Sequence, residues 1–255
     1  MGFRTVLKRL IETAGFDLKR RPKGKVYNED GLWSIHNHDF TDDPLFRKAY
    51  ARGEQAAGEY HVQWRAHMAL WAAYGASKLD GDFIECGVNR GFLSSAIMEY
   101  LNWDTLGKTF YLLDTFAGLD TRYVSEAERT SGALERNAEL LKTNSYVQGV
   151  ESVRANFAQW QNVRIIQGAV PDTLSAVDAQ QIAYLHIDMN CAAPEVAAFN
   201  LLWERLVPGA FILLDDYAYF GYGEQKAAMD AAARAKDLRI ASLPTGQGLL
   251  IKPAA

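Results

Sequence analysis

Apolar positions fall into two patterns along the chain. In residues 3–14, Phe3, Val6, Leu7, Leu10, Ile11 and Ala14 recur at steps of three and four, which predicts an amphipathic helix ending near Gly15. Residues 20–58 read as polar and irregular, with Arg21-Pro22-Lys23-Gly24 and Asp42-Asp43-Pro44 as breakers. A long helix is expected over about 60–78, carrying Trp64, Met68, Leu70, Trp71 and Tyr74. From residue 82, short apolar runs alternate with helical stretches: 83–85, 110–114, 163–166, 183–188 and 211–215. Such runs predict parallel strands covered on both faces. Residues 238–242 and 248–252 read as two more strands, and the link 243–247 is too short for a parallel crossover. The expected architecture is an α/β domain over 59–255 with a seven-stranded sheet. Five strands are parallel, a C-terminal antiparallel hairpin follows, and helices cover both faces. A basic helix and irregular arm over 1–58 precede it.

Composition narrows the class. The chain has 255 residues, 49% hydrophobic and 23% charged, and its 20 Gly and seven Pro exclude collagen-like and low-complexity classes. No run approaches the roughly 18 apolar residues of a membrane span. The segment after Met1 is basic and lacks an apolar centre, so it does not read as a cleavable signal. Cys86 and Cys191 make no disulfide framework, and a reducing cytoplasm is the expected location. Charge is uneven. Residues 1–26 hold Arg4, Lys8, Arg9, Lys19, Arg20, Arg21, Lys23 and Lys25 against Glu12 and Asp17, so the remainder is more acidic than the net charge of −4 shows. An acidic body with a basic arm does not predict nucleic-acid binding. The arm has three readings: peripheral contact with an anionic membrane, an interface in a homo-oligomer, or a solvated tail.

The candidate chemistry gathers at strand ends. The first parallel strand runs into Glu85-Cys86-Gly87-Val88-Asn89-Arg90-Gly91, and a helix from Ser94 to Leu101 follows. The glycines permit a tight turn and close approach of a ligand. The helix N-terminus offers free N–H groups to a carboxylate. This E-x-G-x-x-x-G spacing is not the G-x-G-x-x-G of dinucleotide sites. Asp114 ends the second strand, placed either to accept hydrogen bonds from ribose hydroxyls or to cap a turn. Asp188 and Asn190 end the fourth strand, and Asp215 and Asp216 the fifth. If these strands are neighbours, three carboxylates and an amide oxygen converge. Carboxylates that close repel one another, and a divalent cation relieves this; hard oxygen donors suit Mg²⁺. The alternative makes Asp215-Asp216 a loop cap.

These segments carry a resemblance. Residues 81–88 (GDFIECGV), 112–119 (LLDTFAGL), 185–190 (LHIDMN) with Pro194, and 206–209 (LVPG) through Leu214-Asp215-Asp216-Tyr217 resemble the macrocin O-methyltransferase family over about 60–255. The resemblance implies a Rossmann-like class I methyltransferase that uses S-adenosylmethionine, leaves S-adenosylhomocysteine, and methylates a hydroxyl of a sugar, glycan or natural product with Mg²⁺. It implies that Glu85, Gly87 and Gly91 line the methionine and ribose side, with Val88 and Asn89 in the same turn. Asp114, followed by Thr115 and Phe116, would hold the ribose. Gly168, Ala169 and Val170 would flank adenine. Asp188, Asp215 and Asp216 would hold the metal, with Asn190 offering a neutral oxygen. The chain departs from the family's usual Trp, Gly and Ser at Asn89, Phe92 and Leu93. Where D-x-D-x-Y is usual it has Asp188-Met189-Asn190-Cys191-Ala192, which implies weaker metal binding and a different acceptor pocket.

In that reaction the cofactor brings an activated methyl group, and Asp188 is the expected general base as well as a ligand. His186, on the same face, is either a second base or a buried, hydrogen-bonded strand residue. Tyr60 and His61 either border the cofactor entrance or lie on a helix surface. His36 and His38 lack the spacing of a metal site, and both cysteines read as small apolar filler. Residues 120–145 form a polar insertion with the length of a lid. Residues 217–223 (YAYFGYG) either rim a sugar site or pack on their own core. The competing functions are a metal-dependent glycosyltransferase, from the likeness of Asp188-x-Asn190 to a D-x-D site, and a non-catalytic cofactor-binding protein.

Overall fold

The computed structural model describes residues 3–16 and 23–254 and divides into two compact units, 1–38 and 39–255. Lys19, Arg20 and the Arg21-Pro22 breaker lie outside the described residues. In the first unit, α1 (Phe3–Thr13) is the expected amphipathic helix, and its Val6, Leu7 and Leu10 are exposed. The strands β1 (Tyr27–Glu29) and β2 (Leu32–Ser34) pair antiparallel, Glu29 opposite Leu32. Asp30 (φ 50°) and Gly31 (φ 69°) form the two-residue turn between them, with the positive φ values that match strand twist.

In the second unit the elements run α2 (Pro44–Ala57), α3 (Gln63–Ser77), β3 (Asp82–Cys86), α4 (Phe92–Leu101), β4 (Phe110–Asp114), α5 (Glu126–Thr130), α6 (Ala133–Lys142), α7 (Glu151–Phe157), β5 (Val163–Gln167), β6 (Ile182–Ile187), α8 (Ala192–Leu202), β7 (Leu206–Leu214), α9 (Gly223–Arg234), β8 (Ala241–Ser242) and β9 (Gly248–Ile251). The irregular reading of 20–58 needs correction, since α2 falls inside it. Pro44 starts this helix: Asp43 accepts a hydrogen bond from the Phe46 N–H at 2.8 Å, and proline at the first position needs no N–H partner. The helix buries Phe46, Ala49, Tyr50 and Gly53. At Gly53 a Cβ would come 2.9 Å from the Phe92 carbonyl of α4, so the two helices pack backbone to backbone.

The sheet order is β5-β4-β3-β6-β7-β9-β8. The first five strands are parallel, and β9 pairs antiparallel with both β7 and β8. This is the expected seven-stranded α/β arrangement. Two bounds differ: β7 begins at Leu206, ahead of its apolar run, and β8 keeps only two residues. Alternate residues of a strand face opposite layers. Phe83 joins the core under α2, α3, α4 and α7, while Ile84 and Cys86 join the core under α8 and α9. Burying each large side chain contributes about 2 kcal/mol. Connections run from β3 outward to β4 and β5, then return to β6 on its other side, so the switch point lies between β3 and β6. Ligands of such sheets sit there, beyond the carboxyl ends of the strands.

Candidate functional site

At the end of β3 the chain turns at Gly87 (φ 91°), whose added Cβ would strike the Asp188 carbonyl oxygen. Gly91 (φ 83°) starts α4 with the Phe157 ring beside it. Asp114, at the end of β4, holds the turn between them. One carboxylate oxygen accepts the N–H groups of Val88 and Asn89, each at 2.7 Å, and the other accepts the Phe116 N–H at 2.6 Å. Asn89 (φ 50°) ties the turn to the segment after α6: its Nδ2 donates to the Ser145 carbonyl at 2.9 Å, and its Oδ1 accepts from the Val147 N–H at 2.8 Å.

These loops wall a cleft of about 770 Å³, open mouth included. Gly87, Asn89, Asp114, Thr115, Gly168, Ala169, Val170, Asp188 and Asn190, all expected from sequence, line it together. The other candidates stand apart from its lining. Val88 is buried, with its N–H on Asp114, and Phe116 is 1% exposed in the core. Tyr60 is exposed and stacks on Phe92 with centroids 5.2 Å apart. Glu85 and His186 are paired neighbours on β3 and β6, both fully enclosed, with Glu85 Oε1 2.9 Å from His186 Nδ1. Of the two readings of His186, the buried, hydrogen-bonded one describes its surroundings.

Asp188, Asp215 and Asp216 do converge. One carboxylate oxygen from each lies within 4.8 Å of the other two. Sequence reasoning missed their neighbour Arg65, a buried cation on α3 that pairs with Asp215 and lies 3.5 Å from Asp216. Burial and the charges of Asp215 and Asp216 push the Asp188 carboxyl well above the usual range. Burial and the Asp215 charge push Asp216 up to about 6. Burial also acts against Asp215, but Arg65, His186 and Gln247 outweigh it and hold that carboxyl low. For His186, burial opposes the charge, yet the adjacent carboxylates of Asp215 and Glu85 prevail and raise it to about 10.

A second, smaller cleft of about 210 Å³, open mouth included, lies between α6 and the turn after β7, lined by Arg136, Asn137, Leu140 and Tyr222. Asn190 and Tyr146 line both clefts. The aromatic segment therefore divides. Tyr222 faces the small cleft, while Tyr217 is buried and donates its hydroxyl to Asp230 at 2.5 Å. The insertion 120–145 folds as α5 and α6 and is fastened by Glu128, only 3% exposed. The Glu128 carboxylate caps α5 through Ser125 and accepts the Ala192 N–H of α8 at 2.7 Å. This capping box, S-x-x-E, is legible in sequence; its second partner is not.

The model of the macrocin O-methyltransferase (TylF) family matches residues 68–239. The chain is 31% identical over 150 residues to the 8-demethyl-8-(2,3-dimethoxy-alpha-L-rhamnosyl)-tetracenomycin-C 4'-O-methyltransferase of Streptomyces olivaceus, covering 56% of this chain and 55% of that protein. It is 25% identical over 149 residues to mycinamicin III 3''-O-methyltransferase of Micromonospora griseorubida, covering 54% and 55%. The chain thus spans about half the length of the curated relatives it matches. Among solved structures it resembles the O-methyltransferase NovP (TM-score 0.64, 20% identity, 89% of this chain and 87% of that one). It also resembles the calicheamicin methyltransferase CalS11 (TM-score 0.58, 14% identity, 91% and 99%). At these identities the likeness establishes a shared fold. With the family model covering most of the sheet and its strand-end acids, this chain belongs to the macrocin O-methyltransferase family.

Proposed function

We propose that the chain is an S-adenosylmethionine-dependent O-methyltransferase whose acceptor is a hydroxyl of a sugar carried by a natural product. One observation carries this reading: Asp188 lines the larger cleft with the glycine turn and Asp114, and Asn190 beside it lines both that cleft and the smaller one. A donor site and an acceptor site would meet at that pair. The relatives' names support the oxygen as target, and one of them names a rhamnosyl compound. The glycine turn and the family match count against the glycosyltransferase reading.

The larger cleft fits the cofactor. Gly87 lines it and carries no Cβ, which lets the turn pack directly on the Asp188 carbonyl; Asp114 presents a carboxylate, and Ala169 and Val170 offer an apolar wall. Bound there, S-adenosylmethionine supplies a methyl group already activated on sulfur. Asn190 and Tyr222 would orient the acceptor hydroxyl, and Asp188 would accept its proton, with S-adenosylhomocysteine as the leaving product. The acid cluster fits a hard cation, since the carboxylates of Asp188 and Asp216 are both held above their usual range by burial and repulsion. Asp188, Asp215 and Asp216 would hold Mg²⁺, which lowers the pKa of a bound hydroxyl.

Incubation with methyl-labelled S-adenosylmethionine and a panel of rhamnosylated natural products tests the reading. Label is expected as an alkali-stable O-methyl ether on the sugar; label on nitrogen or carbon would overturn it. In the same assay Tyr222→Ala is expected to raise acceptor KM about tenfold, by loss of about 1.4 kcal/mol of ring contact, with cofactor KM unchanged. An unchanged acceptor KM removes Tyr222 from the acceptor site.

A further inference from the structure

Arg65 belongs to α3, outside the strand-end loops that form the clefts, yet it is 8% exposed and reaches the acid cluster. Its Nη1 pairs with Asp215 Oδ2 and lies 3.5 Å from Asp216 Oδ1. The Tyr219 ring covers the guanidinium, 4.7 Å from its centroid. Gln247, in the turn before β9, donates from Nε2 to Asp215 Oδ1 at 2.9 Å and to the Arg65 carbonyl at 3.5 Å. His186 Nε2 lies 3.6 Å from the same Asp215 oxygen. Both oxygens of Asp215 are therefore engaged, Oδ2 by Arg65 and Oδ1 by Gln247.

We infer that Arg65 is a built-in counter-cation: a positioning residue that fixes the Asp215–Asp216 pair toward Asp188 and limits how strongly these carboxylates attract a divalent cation. The inference rests on the reading of this cluster as a cation site. A guanidinium is permanently charged and presents its donors in a rigid fork, so it supplies both a fixed charge and a fixed geometry. Charge and geometry then make separable predictions. Removing the charge leaves three crowded carboxylates with less positive charge beside them, so an added cation binds more tightly. Removing the geometry frees the Asp215 and Asp216 side chains, so turnover falls even as the cation binds.

The test titrates Mn²⁺, as probe for the cation, and S-adenosylhomocysteine by calorimetry into the parent chain, Arg65→Met and Arg65→Lys. Arg65→Met is expected to bind Mn²⁺ at least about tenfold more tightly than the parent. Its kcat is expected to fall about 10²-fold, with KM for S-adenosylmethionine unchanged. Arg65→Lys keeps the charge without the fork, so its Mn²⁺ affinity stays within about threefold of the parent. A merely structural role for Arg65 lowers stability and weakens both ligands together. Should Arg65→Met not fold, Arg65→Gln carries the same Mn²⁺ expectation, since it too removes the charge. Mn²⁺ affinity equal to or weaker than the parent's, in an uncharged variant that still binds S-adenosylhomocysteine, overturns the inference; so does absence of Mn²⁺ binding in every variant. Loss of S-adenosylhomocysteine binding by the parent chain counts instead against the methyltransferase reading, and the Mn²⁺ comparison stands without it.

Discussion

Asp188→Asn is expected to lower kcat about 10³-fold while leaving affinity for S-adenosylhomocysteine within about threefold of the parent. Asparagine keeps the shape of Asp188 and its place in the cleft wall, so the cofactor meets nearly the same surface. What it loses is the proton acceptor, and the cluster loses one of its three converging carboxylates. The backbone of Asp188 is held independently: its N–H donates to the Cys86 carbonyl at 2.8 Å. The effect therefore belongs in turnover and not in binding or folding. Steady-state kinetics with both substrates varied separates these, and a kcat within about threefold of the parent would remove Asp188 from the chemistry.

Gly87→Ala has the second largest expected effect, and it acts on the site before chemistry begins. At φ 91° an L side chain is strained, and here its Cβ would meet the carbonyl oxygen of Asp188. Relief by movement is blocked on both sides. The Gly87 N–H donates to the Leu113 carbonyl at 2.8 Å, and Asp188 is bonded to Cys86. Strain and clash together should cost about 3 kcal/mol or more, lowering Tm by roughly 6–12 °C, and cofactor affinity should fall at least about 10²-fold. Gly107→Ala is the matched control. Gly107 also has positive φ (65°), but nothing lies within 4 Å of its added Cβ, so only about 1 kcal/mol of strain remains. Scanning calorimetry of the two variants reads the difference. Equal Tm shifts, with cofactor binding intact in Gly87→Ala, would contradict the close approach of β3 and β6.

The sheet was legible because buried parallel strands appear as apolar runs that lead into an acid or a polar loop, and those ends are where Gly87, Asp114 and Asp188 lie. Two local signals were present in the sequence but outweighed. Asp43-Pro44 reads as a breaker, yet an aspartate before a proline also starts a helix, and α2 begins there. Asp30-Gly31 is a hairpin turn whose flanking strands, at three residues each, are too short to show alternation. Pro208-Gly209 hid the first half of β7, which pairs at Leu206 with Ile182 before its register shifts. Arg65 was beyond local reasoning. A charged residue in a helix reads as solvent-facing, and its partner Asp215 is 150 positions away in sequence. Glu128 is similar, since the Ala192 N–H it caps lies 64 positions on. Glu85, at the first position of the E-x-G turn, has its Oε1 2.9 Å from His186 Nδ1, a partner 101 positions on that no local motif reveals.

Titration of S-adenosylhomocysteine into the purified chain by calorimetry tests the central claim most directly. Saturable one-to-one binding with Kd on the order of micromolar, about −8 kcal/mol, is expected, retained in Asp188→Asn and weakened at least about 10²-fold in Gly87→Ala. Absence of binding by the parent chain, with a UDP-sugar binding in its place, would contradict it.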